Sequence, residues 1–312
     1  MSRILLLSLL LFFQVGSFSQ SLSDVEFGSD STVDVLTWNL EWFPKNNQIT
    51  IDSLAVIIES LNADVLAIQE INNINQFNLM VNSLPNYEGY ISNSNSGSLR
   101  LGFIYKNHID VNGIFSIYSD PVYSYIFAGR PPIIMDINVF GENFIIINNH
   151  FKCCGDGILN VNDSTDEETR RYYANRLIKQ YIDSNYTTTN IILLGDLNDR
   201  LDDNILNNVF QEFINDSTNF KFCDIAIAYG STSFWSYPSW PSHLDHILIS
   251  NELFSAFYHN LSEIKTLRID SFINGGFSVY DAIISDHLPV GLKLYMGNIS
   301  SLNNNSFDLK KK

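Results

Sequence analysis

NIILLGDLNDR, residues 190–200, begins as an unbroken apolar run and ends in carboxylates and amides. Ile191 to Leu194 show no polar alternation, the pattern of a strand buried on both faces. Gly195 lets the backbone bend or pass close to a neighbour. Asp196, Asn198 and Asp199 then follow where the strand surfaces. Acceptor-rich side chains at a strand end can simply start a turn, because Asp and Asn bond their own backbone there. Whether they do more depends on the rest of the chain.

Working outward, DVLTWNLEW (Asp34 to Trp42) reads as a strand. Ile51, Leu54, Ile57, Ile58 and Leu61 then recur near 3.6 spacing, with Thr50 as the expected N-cap of a helix. DVLAIQEI (Asp64 to Ile71) is again a buried strand. A short helix near Gln76 to Leu84 and strands near Tyr87 to Ser92 and Leu101 to Lys106 follow. FIIINNHF (Phe144 to Phe151) is another strand, and Ala174, Leu177, Ile178 and Tyr181 mark the longest helix, between Asp166 and Ser184. After residue 200 come a short helix, a Ser- and Trp-rich loop, the strand LDHILIS and a final strand near Leu288 to Tyr295. Strands outnumber helices and alternate with them irregularly, which points to a layered α/β (α+β) fold. No repeat and no Pro/Gly linker divides the body.

Composition bounds the class. The chain has 312 residues, 45% of them hydrophobic, enough for a large core. Arg3, the run ILLLSLLLFF and the small residues Ser17 and Ser19 form the layout of a secretory signal peptide over residues 1–19. The expected organisation is therefore a leader, one body over residues 20–297, and a tail over 298–312. The expected product is secreted, periplasmic or extracellular, and has no transmembrane segment. Net charge is −16; without the leader and tail, 14 basic residues face 33 acidic ones, about −19. Such a surface does not capture nucleic acid by general electrostatics, but bound divalent cations reverse the sign locally. Of the three cysteines, Cys223 can pair with Cys153 or Cys154, or the two neighbours with each other. Their spacing supplies no tetrahedral zinc set.

The polar residues at strand ends form a pattern: Asn39 in TWNLEW, Glu70 in AIQEI, His150 in INNHF, Asp196 and Asn198 in LLGDLND, Asp245 in HLDHIL, and Asp286 with His287 in SDHLPV. Each follows or interrupts an apolar run, so each is carried on a rigid element. In layered α/β proteins, sites collect at one end of the strands. TWNLEW, IQE, GDLN, LDHILIS and SDHLPV, in this order, resemble the endonuclease/exonuclease/phosphatase superfamily over roughly Val33 to Leu294, including deoxyribonuclease-like enzymes, abasic-site endonucleases and neutral sphingomyelinases. The resemblance implies a four-layer sandwich of two mixed β-sheets with helices on the outer faces.

It also implies a metal-dependent hydrolase of phosphodiester bonds, with nucleic acid as the substrate and no stable protein partner. Such chemistry needs an activated water, neutralised phosphoryl oxygens and a stabilised leaving oxygen. Mg²⁺ serves the last two as a hard Lewis acid; Mn²⁺ could replace it, and structural Ca²⁺ is compatible with the class. By resemblance, Glu70 is the main metal ligand, with Asn39 and Asp286 beside it. Asp196 orients or deprotonates the water, Asn198 holds that water or a phosphate oxygen, and His287 contacts the phosphate with its tautomer fixed by Asp245. His150 matches a second catalytic His, a general acid, and Arg130 in AGRPP resembles a phosphate-clamping arginine. Two departures stand out. Asn72 replaces the arginine that deoxyribonuclease-like members use on duplex DNA, and no carboxylate partner for His150 occurs near Leu99. Glu41 adds a second carboxylate near Asn39 or faces solvent. His243 and His246 are expected to be structural or solvent-facing. The loop SFWSYPSWP (Ser233 to Pro241) could stack on a base or an acyl chain, or cap the sheet. Phe115 to Tyr118 and Tyr123 to Phe127 are the candidate membrane-facing aromatics of a sphingomyelinase, the alternative reading. A secreted binding protein with a dead site would show gaps among these positions, and there are none.

Overall fold

The run 191–194 is apolar on both faces because its strand lies between two hydrophobic layers. Ile192 and Leu194 face one layer; Ile191 and Leu193 face the other. The computed structural model describes residues 21–93 and 99–297, so the leader and the tail lie outside the described residues. Six strands form each of two sheets. The first contains β1 (Thr32–Phe43), β2 (Val65–Ile71), β3 (Tyr87–Ile91), β4 (Arg100–Lys106), β11 (Glu263–Thr266) and β12 (Val290–Tyr295), in the order β11-β12-β1-β2-β4-β3. The second contains β5 (Asp110–Ser116), β6 (Ile133–Val139), β7 (Glu142–His150), β8 (Asn190–Asp196), β9 (Phe220–Phe222) and β10 (Asp245–Ser250), in the order β5-β6-β7-β8-β10-β9. Each has one parallel pair at its centre, β1 with β2 and β7 with β8, among antiparallel neighbours. The sheets are mixed, as expected.

Three apolar layers hold this sandwich together. Val33, Val35, Ile146, Ile192 and Ile247 fill the space between the sheets. Trp38 and Leu66 pack outward on α1 (Asn47–Leu61) and α2 (Ile74–Asn82). Ile147 and Leu193 pack outward on Ala174, Ile178 and Ile182 of α4 (Glu167–Asn185), which follows the single-turn α3 (Pro121–Ser124). Alternate residues of the central strands thus serve alternate layers. The parallel pairs place the C-terminal ends of β1, β2, β7 and β8 at one edge of the sandwich, which is where the polar residues emerge.

Two sequence expectations are corrected here, and a third is met only in part. Thr50 does not cap α1; it is buried one turn inside, accepting from the Asn46 N–H at 2.7 Å and donating to the Ile283 carbonyl at 2.6 Å. The aromatic segments 115–118 and 123–127 divide, with Phe115 and Tyr125 exposed and Phe127 buried. Tyr118 packs on Tyr123, Phe127 and Tyr181, and its hydroxyl donates to Leu177 O in α4 at 2.7 Å. Cys223 is buried between the sheets, whereas Cys153 and Cys154 are exposed, and all three are free thiols. The bridge to Cys223 is absent because its side chain packs into the core. No helix among the described residues is long and apolar enough to cross a membrane.

His243 and His246 are structural. His246 donates Nδ1–H to Asp224 Oδ2 at 2.6 Å and Nε2–H to the Asp199 carbonyl at 2.8 Å, so both nitrogens carry protons. His243 accepts the Ser236 N–H on Nδ1, leaving Nε2 to donate to the same Asp224 oxygen at 3.0 Å. This buried network ties the chain just beyond β8 to β10. Burial alone would lower the His246 value, but Asp224 outweighs it and raises it. The folded value therefore exceeds the unfolded one, about 6.5, and the stabilisation is complete below that pH and lost as pH rises through the folded value. His246→Ala should cost about 3–5 kcal/mol at pH 6, because it strands a buried charge, and the deficit should shrink at high pH. Urea unfolding of both proteins across pH 6–10 checks this; a deficit independent of pH would mean that His246 is neutral.

Candidate active site

Gly195 is the hinge of the site. Its φ is +148°, and a Cβ there would lie 2.0 Å from the Asn149 carbonyl of the adjoining parallel strand. Only glycine lets β7 and β8 approach this closely at their ends, which brings His150 level with Asp196. In antiparallel register on the other side, Asp245 also sits opposite Asp196. From the first sheet, the Asn39 amide reaches across to Asp196 Oδ2 at 2.9 Å and to Glu70 Oε1 at 3.2 Å. Five strand ends thereby meet around one carboxylate.

The remaining residues fit around that centre. Glu70, at φ +63°, accepts the Trp42 N–H at 3.1 Å. Asn198, at φ +54°, donates its N–H to Asp196 Oδ1 at 3.1 Å and its amide to Phe151 O at 3.3 Å. His287 Nδ1 lies 2.7 Å from Asp245 Oδ2, and its Nε2 lies 3.9 Å from both Asp196 and Asp286. Its carbonyl accepts from Tyr280 and Trp38, and its N–H donates to Ser285 Oγ, which in turn donates to Asn39 O. His150 Nε2 stands 3.5 Å from Asp196 and 3.8 Å from Glu70. Asn39, Glu70, His150, Asp196, Asn198, Asp286 and His287 line a cavity of about 630 Å³, with Asp245 buried directly behind His287.

Electrostatics divide the two histidines. Burial opposes charge on His287, but Asp245 and Asp196 outweigh it and push its value up to about 10, so it is an imidazolium. Burial, Arg130 and His287 all act against charge on His150 and hold its value far below the ordinary range. His150 Nδ1 is moreover buried without a hydrogen-bond partner. That orphaned nitrogen is the structural counterpart of the carboxylate missing near Leu99. A neutral His150 suits hydrogen-bond donation from Nε2 better than the general-acid role expected from sequence.

Arg130 stands behind the cleft wall. It donates from Nε to His150 O at 3.2 Å and from Nη2 to Phe151 O at 2.7 Å. It thus fixes the backbone carrying His150, with those donors unavailable for a phosphate. Glu41 does not simply face solvent; it adds a carboxylate to the cavity that Asn39 and Glu70 line. It pairs with Lys45 and accepts the Asp286 N–H at 2.8 Å. The Ser- and Trp-rich loop divides its roles. Trp235 is buried, donating to Ile227 O, while Tyr237 packs on the His287 ring at 4.8 Å and Trp240, 78% exposed, flanks the cavity.

Sequence reading passed over Ser285, Tyr280 and Arg171. Arg171, in α4, joins Asp199 at 2.7 Å to Glu168 at 3.0 Å beside the cavity. Its place on a helix start gave no local signal of that role.

The donors suit a hard divalent cation. Burial pushes Asp196 up to about 7; His287 opposes this, while Asp245 and Glu70 add to it. Burial also raises Asp286, with Glu70 contributing repulsion. Carboxylates that disfavour one another's charge are relieved by a cation. Oxygens dominate the set and no thiolate or tetrahedral His/Cys cage belongs to it, which fits Mg²⁺ or Mn²⁺. In the buried trio of Asp196, Asp245 and His287, Nδ1 of His287 is taken up by its hydrogen bond to Asp245, which leaves Nε2 facing Asp196 at 3.9 Å.

Fold and donor set together define a class, the four-layer α/β sandwiches whose strand ends carry clustered carboxylates, amides and histidines. The Endonuclease/Exonuclease/phosphatase family model matches residues 36–287, and the chain belongs to that family, whose members are generally metal-dependent phosphoesterases and nucleases. No curated protein matches the chain's sequence. Among solved structures, D. rerio TDP2 complexed with single strand DNA product is similar at 13% identity, with a TM-score of 0.63 over 85% of this chain and 99% of that one. The human Nocturnin catalytic domain with bound sulfate anion has 15% identity and a TM-score of 0.57, covering 84% of this chain and 94% of that one. An AP endonuclease from Archaeoglobus fulgidus has 12% identity and a TM-score of 0.57, covering 84% and 99%. At these identities the likeness concerns the fold.

Burial, with repulsion from Asp245 and Glu70 added, makes Asp196 a stability cost in metal-free protein. Its folded value, about 7, exceeds the unfolded one, about 3.9. Stability contributed by this group therefore falls as pH climbs between the two. Asp196→Asn should remove that slope and raise stability at pH 8 in EDTA by about 1–3 kcal/mol. Urea midpoints from pH 4 to pH 8 check it; an Asp196→Asn protein less stable than wild type at pH 8 would refute the cost of burying this charge.

Proposed function

We propose that this protein is a secreted, Mg²⁺-dependent phosphodiesterase that hydrolyses extracellular nucleic acid, with single strands as its preferred substrate. The observation carrying the reading is the His287–Asp245 pair set 3.9 Å from Asp196, which is itself hydrogen-bonded through Asn39 to the Glu70 side. Glu70 and Asp286 would hold the metal, and Asn39 would orient Glu70. When bound, Mg²⁺ supplies charge neutralisation at phosphoryl and leaving oxygens.

The chain's own residues do the rest. Asp196, with Asn198 N–H fixing one carboxylate oxygen, presents its other oxygen to the attacking water as orienter and base. The His287 imidazolium directs Nε2–H at a non-bridging phosphate oxygen, where charge accumulates, while Asp245 fixes its ring. Neutral His150, with Nε2 at 3.5 Å from Asp196, adds a second donor, and Arg130 holds His150 in place through the backbone. Support for single strands comes from the walls. Trp42, 54% exposed, and Trp240 offer faces for unpaired bases, and Asn72 stands where duplex-directed relatives carry arginine. The single strand DNA product in the D. rerio TDP2 structure is in keeping with this choice.

Mature protein should cleave single-stranded oligonucleotides with Mg²⁺ and not with EDTA. Plasmid duplex, sphingomyelin and phosphoinositide should be cleaved at least about tenfold more slowly. Glu70→Gln should lower activity on the order of a hundredfold or more at low Mg²⁺. Faster cleavage of sphingomyelin than of any oligonucleotide would replace the nuclease reading with a lipid phosphodiesterase. N-terminal mass analysis of exported protein should find Gln20 first; an intact leader on a cell-retained product would refute secretion.

Arg130→Ala should lower kcat about tenfold or more by loosening His150, with KM and the salt dependence of KM nearly unchanged. A loss carried mainly by KM would assign Arg130 to direct phosphate binding.

A further inference from the structure

The loop that follows β7 carries two neighbouring cysteines to the wall of the cleft. Cys153 and Cys154 are both exposed, and both line the cavity that Asp196 and His287 share. Their sulfurs are 3.0 Å apart, with Cys154 Sγ donating to Cys153 Sγ. Successive side chains on an extended chain point to opposite sides, so neighbours in contact require a turn between them.

Arg171 shapes that turn. Its Nη1 donates to the carbonyls of the residues on either side of Cys153, Lys152 O at 2.8 Å and Cys154 O at 2.7 Å. The rest of the guanidinium is anchored on Asp199 at 2.7 Å and Glu168 at 3.0 Å. The chain bends around this buried donor, and Cys154 takes φ +72°, a conformation that a residue with a side chain holds where its surroundings dictate it. Lys152 Nζ completes the frame, donating to Cys153 O at 2.8 Å and standing 3.6 Å from Cys153 Sγ. Packing does not account for the two thiols, because they are exposed where Cys223 is buried in the inter-sheet core.

We propose that Cys153 and Cys154 form a reversible thiol–disulfide site on the cleft wall, closed by exchange with a low-molecular-weight disulfide. Cys153, as thiolate, attacks one sulfur of the small disulfide; that S–S bond breaks, one small thiolate leaves, and a mixed disulfide forms on Cys153. Cys154 then attacks the Cys153 sulfur and expels the second small thiolate. The small disulfide gains two electrons and the cysteine pair loses two, while both cysteine protons pass through solvent to the thiolates released.

Reversibility follows from adjacency. Neighbouring Cα atoms stand about 3.8 Å apart across a trans peptide, closer than the roughly 4.4–6.8 Å that an unstrained bridge spans. A strained bridge is readily reopened by a small thiol. Closure draws the sulfurs together by about 1 Å and turns the peptide between the two cysteines, next to the carbonyls that Arg171 holds. The segment from Cys153 to Gly157, part of the cleft wall, therefore differs between the two forms. This inference does not rest on the reaction proposed above.

The test starts from mature protein, reduced and freed of small thiols, then incubated with oxidised glutathione. Intact mass should fall by about 2 Da, and iodoacetamide in denaturant should then label Cys223 alone, with the new bond located to Cys153 and Cys154 in a non-reduced digest. An excess of reduced glutathione should restore all three thiols. Cys154→Ser removes the second attack and should stop at a stable glutathione adduct on Cys153. In urea, ring closure should be at least about tenfold slower, since the turn no longer holds the sulfurs together. Hydrogen exchange over residues 152–157 should differ between the oxidised and reduced folded forms. The proposal is overturned by a wild-type chain that does not react or stops at the adduct, by a Cys154→Ser chain that forms none, or by a bond that reduced glutathione leaves intact. Equal closure in urea, or identical exchange over residues 152–157, would overturn it as well.

Discussion

The Asn39 side chain is the constraint on which the site depends. Its one amide group spans the gap between the sheets, donating to Glu70 in the first and Asp196 in the second, while its oxygen accepts the Glu41 N–H. Deeper in the same gap, the Gln69 amide donates to Asn148 Oδ1 at 2.8 Å, and Asn148 donates to Ile68 O and Gly102 O. Apolar contact between the sheets is non-directional and would tolerate sliding. Buried amides do not tolerate it, because a shift would leave several donors unsatisfied in a medium of low polarity. The polar rungs therefore fix how one sheet lies on the other, and the position of Glu70 relative to Asp196 follows.

That alignment concentrates negative charge where the fold can least solvate it. Asp196 is buried beside Asp245 and within the influence of Glu70. The chain offsets this with one imidazolium, His287, rather than a set of lysines. Its backbone is also unusual here, since Glu41, Trp42, Glu70 and Asn198 all adopt positive φ. Non-glycine residues in that region cost energy and persist where surroundings dictate them. Crowded carboxylates and strained strand ends at one edge do not serve stability, and they fit the cation and anionic substrate of the proposed function.

Much of this was legible in the sequence because strand ends announce themselves. Apolar runs such as IILL and FIII have few alternatives to a buried strand, and the polar residues closing them land at one edge once parallel pairing is assumed. Fold class and the grouping of Asn39, Glu70, His150, Asp196, Asp245 and His287 followed from that regularity and from the family resemblance. What did not follow depended on partners distant in sequence. Thr50 looks like a cap until the Ile283 carbonyl appears beside it. Arg130 looks like a clamp until the His150 and Phe151 carbonyls occupy its fork. Edge strands β5, β9 and β11 were passed over because they are short or half-exposed, with little apolar periodicity to read. A bridge to Cys223 was an option that only packing could close, through the burial of Cys223 in the inter-sheet core.

Charge and geometry together constrain how an anionic substrate is captured. The body carries about −19, and the arginines nearest the cleft are largely engaged. Arg130 bonds carbonyls, Arg171 is shared between Asp199 and Glu168, and Arg200 is held by Asp202 at 2.5 Å. Long-range steering of a polyanion by such a surface is weak or repulsive. On the proposed reading, attraction would arise within a few ångströms, from His287 and from divalent cations held by the same carboxylates that make the surface acidic. Cation binding would thus reverse the local field only in the cleft, leaving the rest of the surface repulsive. An acidic protein built this way would have a recognition site confined to its chemistry, and on the proposed nuclease reading Trp42 and Trp240 would offer unpaired bases the contact area that charge does not.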